Sequence, residues 1–271
     1  MVLARAGAEN FPVASRLLPG RYRRRLLALY GWARLVDHAG DEAKGDRLAL
    51  LDALEADLDR AFGGTPRLPA VRELAATVAE CGLPREPLAR LIEANRVDQR
   101  VRRYRTFDDL LGYCHLSADP VGELVLRVFG CATPDRIARS DRVCSALQVL
   151  EHCQDVGEDA AAGRVYLPAE DLAEHGCTET DLTAPRASPG LRRVVALQVA
   201  RARALLAEGE PLIRGLPPAA RLAVCGYLAG GRATAAALAA ADHDVLGVRV
   251  RPRRARVPAE WARLLVTGGR R

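Results

Sequence analysis

Apolar residues recur at intervals of three and four along almost the whole chain, with no run of alternating β-branched residues to suggest a strand. This spacing predicts helices over Arg21–His38, Asp46–Phe62, Ala70–Cys81, Pro84–Arg102, Phe107–Ser117 and Val121–Phe129. Further helices are predicted over Pro134–Ala160, Gly190–Gly209 and Pro217–Leu246. Short Pro/Gly clusters separate them, such as Leu18-Pro19-Gly20, Gly63-Gly64-Thr65-Pro66 and Gly215-Leu216-Pro217-Pro218, and none is long enough to link two domains. The Ala-rich stretch from Ala233 to Ala241 reads as a closely packed helix. After Leu246 the chain is rich in Arg and Pro and is expected to be loose, apart from a short helix around Trp261. The pattern predicts one all-α domain over residues 1–271, with its core at about 8–246 and a tail at 247–271.

Composition narrows this picture. Hydrophobic residues make up 49% of the 271 positions and aromatics only 4%, so the core must be aliphatic. The seven cysteines form no CxxC pair, which argues for a reducing compartment and against a thiolate zinc site. No stretch approaches ~18 uninterrupted apolar residues, and the amino terminus has too short an apolar run for a secretory signal. A cytoplasmic location is therefore expected, with contact at the inner face of the membrane as its one qualification. The net charge of +6 comes almost wholly from arginine, since Lys44 is the only lysine. Guanidinium groups suit oxyanions. The basic runs Arg21–Arg25 and Arg249–Arg256 carry few aromatics and no nucleic-acid-binding motif, so no nucleic-acid partner is expected.

The acidic residues carry the chemistry. In GWARLVDHAGDE, Asp37 and Asp41 are four apart and share one face at a helix end. In SALQVLEHCQDVGEDAAAGRVYLP, Gln148, Glu151, Asp155 and Asp159 follow at i, i+3, i+7 and i+11, with no basic residue until Arg164. An acidic stripe without a cation points to metal. Two such faces across a helical cavity would hold hard divalent ions through oxygen, and Mg²⁺ completes its shell with water and substrate phosphate. Arg34 and Arg164, close to the two faces, would take the remaining phosphate charge. This is the logic of a site that ionises an organic diphosphate beside an apolar pocket.

ARLVDHAGDE and LQVLEHCQDVGEDAAAGRVYLP resemble the two aspartate-rich motifs of the squalene/phytoene synthases, and GYCHLSADPVG resembles that family's central segment. The resemblance covers residues 8–246 and implies an isoprenoid synthase fold, helices around a central cavity, and Mg²⁺ as cofactor. By position it implies metal binding by Asp37, Asp41, Glu151, Asp155 and Asp159 and diphosphate binding by Arg34 and Arg164. It further implies a substrate cavity lined by Tyr30, Tyr113 and Gln148, with catalysis by the four aspartates and Tyr166. Two departures stand out: His38 where a second acid is common, and Glu151 where Asn is common. ENFPVASRLLP and the proline of SADPVG are most similar to the branch that converts presqualene diphosphate and water to hydroxysqualene and pyrophosphate. That branch implies a presqualene diphosphate synthase and a squalene-forming oxidoreductase as pathway neighbours. Condensation of two prenyl diphosphates, to presqualene diphosphate or phytoene, stays open beside it, as does a non-catalytic helical scaffold.

Other polar positions read as structural. His115, His152, His175 and His243 show no metal-ligand spacing, and Cys114 and Cys153 read as packing. Glu93, Asn95 and Asp98 read as a solvated helix face. GYLAGGR lacks the dinucleotide fingerprint, so no nicotinamide cofactor is expected. The arginines at 249, 251, 253, 254 and 256 are expected to be drawn to anionic lipid.

Overall fold

The computed structural model describes residues 17–247, 250–253 and 255–268. The amino-terminal motif up to Arg16, together with Arg249 and Arg254, lies outside them. Helix α1 spans Gly20–Asp37 and buries Leu26, Leu29, Trp32 and Val36 along one stripe. It runs straight into a π-helical turn, His38–Glu42. Helices α2 (Arg47–Gly63), α3 (Pro69–Cys81) and α4 (Arg85–Asp98) pack around it. Then come α5 (Phe107–Ser117), α6 (Asp119–Val128) and the long α7 (Pro134–Gln154). After two short helices, α8 (Val156–Ala161) and α9 (Ala169–Glu174), the chain returns through α10 (Pro189–Gly209), α11 (Pro218–Ala240) and α12 (Arg256–Thr267). Among the described residues the only β-type pairing is a single bridge between Arg103 and Val165. The fold of the described residues is all-α.

Local sequence sets the helix ends. Asp46 caps α2 by accepting from the Ala49 amide at 3.0 Å. Thr106 and Asp109 form a reciprocal capping box on α5. Pro134 and Pro189 open α7 and α10 at positions where no amide hydrogen is needed, and Thr133 and Ser188 cap them. Gly82 closes α3 in the left-handed region at φ 60°.

α7 is the spine, packed against α5, α6, α10 and α11. α11 approaches it closely: a Cβ on Gly231 would meet Leu147 Cδ2 at 2.8 Å, and Ala233, Ala235 and Leu238 are buried beyond it. By length and composition α11 is apolar enough to cross a membrane, but 67% of its most apolar window is buried inside the protein, as a core helix requires.

Several expected boundaries move; the helix predicted over Pro217–Leu246 stops at Ala240, with Asp242 and His243 beyond it at positive φ. The helix predicted over Pro84–Arg102 stops at Asp98, where the chain turns towards the bridge at Arg103. The helix predicted over Pro134–Ala160 breaks at Asp155, whose φ of −103° and ψ of 13° leave the helical region. The short helix expected around Trp261 in the tail is α12, which docks on α11. There Leu264 is fully buried, Trp261 Nε1 donates to the Leu222 carbonyl at 2.9 Å, and Arg221 reaches the Leu265 carbonyl at 2.6 Å.

Candidate active site

A cavity of about 410 Å³ opens between α1, α4, α5, α6, α7 and α11. Its inner wall is apolar: Leu26, Leu29, Leu91, Leu124, Val143 and Leu147. All eleven residues singled out in the sequence line it. Tyr30, Arg34, Asp37 and Asp41 come from the first motif, and Gln148, Glu151, Asp155, Asp159, Arg164 and Tyr166 from the second; Tyr113 stands between them in sequence.

The first acidic face departs from the plain helix face that its spacing predicts. The π-helical turn begins directly after Asp37, so Asp41 sits on a wider turn than an α-helix would give. Gly40 allows this turn to lie against α4: a Cβ there would fall 2.0 Å from Asn95 Oδ1, and the Gly40 carbonyl accepts from Gln99 Nε2 at 3.0 Å. Arg34 lies 3.5 Å from Asp37 and 3.4 Å from Glu42. His38 points to Glu42, 3.1 Å away, and is absent from the cavity lining.

The second face is carried past the break in α7. Asp155 ends that helix, and the Asp159 amide donates to the Asp155 carbonyl at 2.8 Å, restarting the turn. The Arg164 amide then donates to the Asp159 carbonyl, also at 2.8 Å, which swings the guanidinium back over the mouth. There Nη1 binds Asp41 Oδ1 at 2.5 Å. Burial works against the Arg164 charge, but the bond to Asp41 together with the fields of Tyr166, Asp41 and Asp98 holds the group above its ordinary pKa. The Nε atoms of both Arg34 and Arg164 are buried with no hydrogen-bond partner, as expected of groups prepared for an anion.

Among the described residues no three carboxylate, imidazole or thiol groups converge into a closed metal cage. The donor set nevertheless suits Mg²⁺: five carboxylates, all oxygen, on two walls of one mouth, with room for water and phosphate oxygens between them.

Beneath the mouth lies a buried polar layer that the sequence reading missed. Asp98, read there as part of a solvated face, is 7% exposed and accepts from Tyr113 Oη at 2.6 Å and from Tyr166 Oη at 2.9 Å. Burial raises its pKa, against the pull of both phenols. His152 stacks on Tyr166 with ring centroids 3.8 Å apart, contacts Gln148 Nε2 at 3.2 Å, and lies 3.9 Å from Asp159. Tyr104 stacks on Tyr166 and meets Tyr113 at a tilt, with its hydroxyl buried and unpartnered. A signal for Asp98 was present: Leu91 and Ala94, seven and four positions earlier, are buried and line the same cavity. Asn95 is likewise buried, whereas Glu93 faces outward to Arg100. Cys114 and Cys153 are fully buried, and burial raises both thiols, Cys153 to about 12, as packing residues should behave.

An all-helical shell around an apolar cavity with two acidic walls defines a prenyl diphosphate-processing enzyme. The chain belongs to the squalene/phytoene synthase family, whose model matches residues 4–260. It is 37% identical over 208 residues to a hydroxysqualene synthase of Rhodopseudomonas palustris, covering 75% of this chain and 70% of that one. It is 35% identical over 238 residues to a phytoene synthase of Rhodobacter capsulatus, covering 86% and 69%. Among solved structures it matches squalene synthase HpnC from Alicyclobacillus acidocaldarius at 47% identity and a TM-score of 0.82, covering 89% of this chain and 92% of that one.

Proposed function

We propose that the chain is a hydroxysqualene synthase, a Mg²⁺-dependent lyase that ionises presqualene diphosphate and captures the carbocation with water. The observation that carries this reading is the pairing of two acidic walls with two partly unsatisfied arginines over an apolar cavity. Asp37 and Asp41 on one wall, with Glu151, Asp155 and Asp159 on the other, would hold Mg²⁺, which neutralises the charge of departing pyrophosphate. Arg34 and Arg164 bind the diphosphate oxygens that remain. The aliphatic wall excludes bulk water from the cation, and Tyr113 and Tyr166 line the same cavity. Likeness to a hydroxysqualene synthase favours this branch. Likeness to phytoene synthases supports the second reading, head-to-head condensation of two prenyl diphosphates. A non-catalytic scaffold is the weakest reading, since a binding module has no use for five carboxylates around one mouth.

Purified protein with Mg²⁺ should convert presqualene diphosphate to hydroxysqualene and pyrophosphate, and leave farnesyl diphosphate alone. Turnover of farnesyl diphosphate to presqualene diphosphate or phytoene would establish the condensing reading instead. No pyrophosphate from any C15 or C30 diphosphate would favour the scaffold.

A further inference from the structure

Six carboxylates line the cavity, and five of them belong to the acidic walls. The sixth, Asp98, is buried, within the fields of Arg164 and Asp41. Among the described residues no arginine or histidine forms an ion pair with it, and both its oxygens are taken by phenols. Arg164 reaches it through its field but not through a contact, and a buried carboxylate with no ion-pair contact is costly to a fold, where an aliphatic side chain would pack the same space more cheaply. Resting on the reading just given, we propose that Asp98 is the positioning residue for water capture: through Tyr113 and Tyr166 it accepts the proton that the attacking water loses.

The chemistry follows from the direction of the hydrogen bonds. Each phenol donates to Asp98, so that bond spends no oxygen lone pair, and both residues line the cavity. Water held by such an oxygen presents its own lone pair to the cation. As the new C–O bond forms, a water proton passes to the phenol oxygen, and the phenol's own proton passes to Asp98. Carbocation, water and carboxylate become alcohol and carboxylic acid, and the phenol is regenerated. Pyrophosphate has already left with the electron pair of the broken C–O bond. Burial strengthens Asp98 as the terminal acceptor, while burial raises both phenols, which suits them to pass a proton rather than to lose one. His152, stacked on Tyr166 and close to Gln148, fixes the plane of that ring.

The test measures two products at once from presqualene diphosphate: pyrophosphate, which reports ionisation, and the hydroxylated share of the C30 product. In Asp98→Asn, pyrophosphate release should stay within about 5-fold of wild type, while the hydroxylated share falls at least ~10-fold. Asp98→Glu should restore part of that share. In the unaltered protein, the hydroxylated share measured across H₂O/D₂O mixtures should curve, since two protons move together. An unchanged share in Asp98→Asn, or a linear response to deuterium, would overturn the relay and leave pyrophosphate as the base. Equal loss of both products with a lowered thermal midpoint would make Asp98 structural, which also overturns it. A wild-type protein that forms no hydroxysqualene would instead overturn the functional reading itself.

Discussion

At the scale of single residues, the acidic positions are held for charge rather than for packing. Asp37 and Asp155 are only partly buried, and neither contributes to the aliphatic core. Asp37→Asn and Asp155→Asn should each lower turnover by at least ~10²-fold, because several kcal/mol of transition-state charge stabilisation is lost. Thermal midpoints should hold or rise slightly as like-charge repulsion is relieved; a sharp fall in both would mark the residues as structural. The acidic walls were legible because carboxylates at helical spacing without cations are rare and carry their own explanation. Asp98 was not legible in the same way. In EANRVDQR it is surrounded by exposed charge, and only a three-dimensional neighbour separates a solvated acid from a buried one. Tyr113 and Tyr166, which supply that neighbourhood, lie 15 and 68 positions away.

At the scale of elements, periodicity fixed which helices exist and failed where their geometry changes. The π-helical turn at His38–Glu42 and the break at Asp155 both fall on acidic walls, and both re-aim a carboxylate that an unbroken helix would place elsewhere. Neither leaves a trace in the apolar pattern, because the residues involved are polar. The contact of α5, α6 and α7 has a pH dependence of its own. Asp119, at the start of α6, is 5% exposed and accepts from Ser145 Oγ at 2.8 Å. Burial pushes its pKa up to about 7, against the pull of that bond. His115 stands 3.5 Å away, and Asp141, Arg90 and Arg142 add their fields. A carboxyl group whose folded pKa lies above its unfolded one favours the fold most under acid conditions, and that contribution is lost as pH rises towards 7. The loss is at most about 4 kcal/mol, taking roughly three pKa units. The thermal midpoint of Asp119→Asn should therefore gain on wild type between pH 5 and pH 8.5 (values chosen about the shifted pKa). Equal pH slopes for the two proteins would show that Asp119 ionises freely.

At the scale of the whole molecule, the net charge of +6 is spread over an arginine-rich surface, with Arg251 and Arg253 exposed between α11 and α12 and Arg256 exposed at the start of α12. Binding to vesicles should rise with anionic lipid and fall with salt, at about 1 kcal/mol for each basic residue near the surface. Removing everything after Leu246 would be a poor test, since it also strips α12 from the apolar face of α11 that buries Leu264. Arg251→Gln with Arg253→Gln leaves that packing in place. Co-sedimentation with phosphatidylglycerol vesicles should weaken in this double variant, and binding indifferent to both salt and the substitutions would free the segment from any membrane role.

The bond between Asp41 and Arg164 joins residues 123 positions apart and closes the rim of the cavity with the protein's own charges. In this state the site is its own competitor. On the function proposed above, a neutral prenyl alcohol would suit the aliphatic wall but bring nothing with which to part that pair, whereas a diphosphate would offer the guanidinium a richer set of oxygens than one aspartate does. Selection of the guest would then begin at the rim, by charge, before chain length is measured inside.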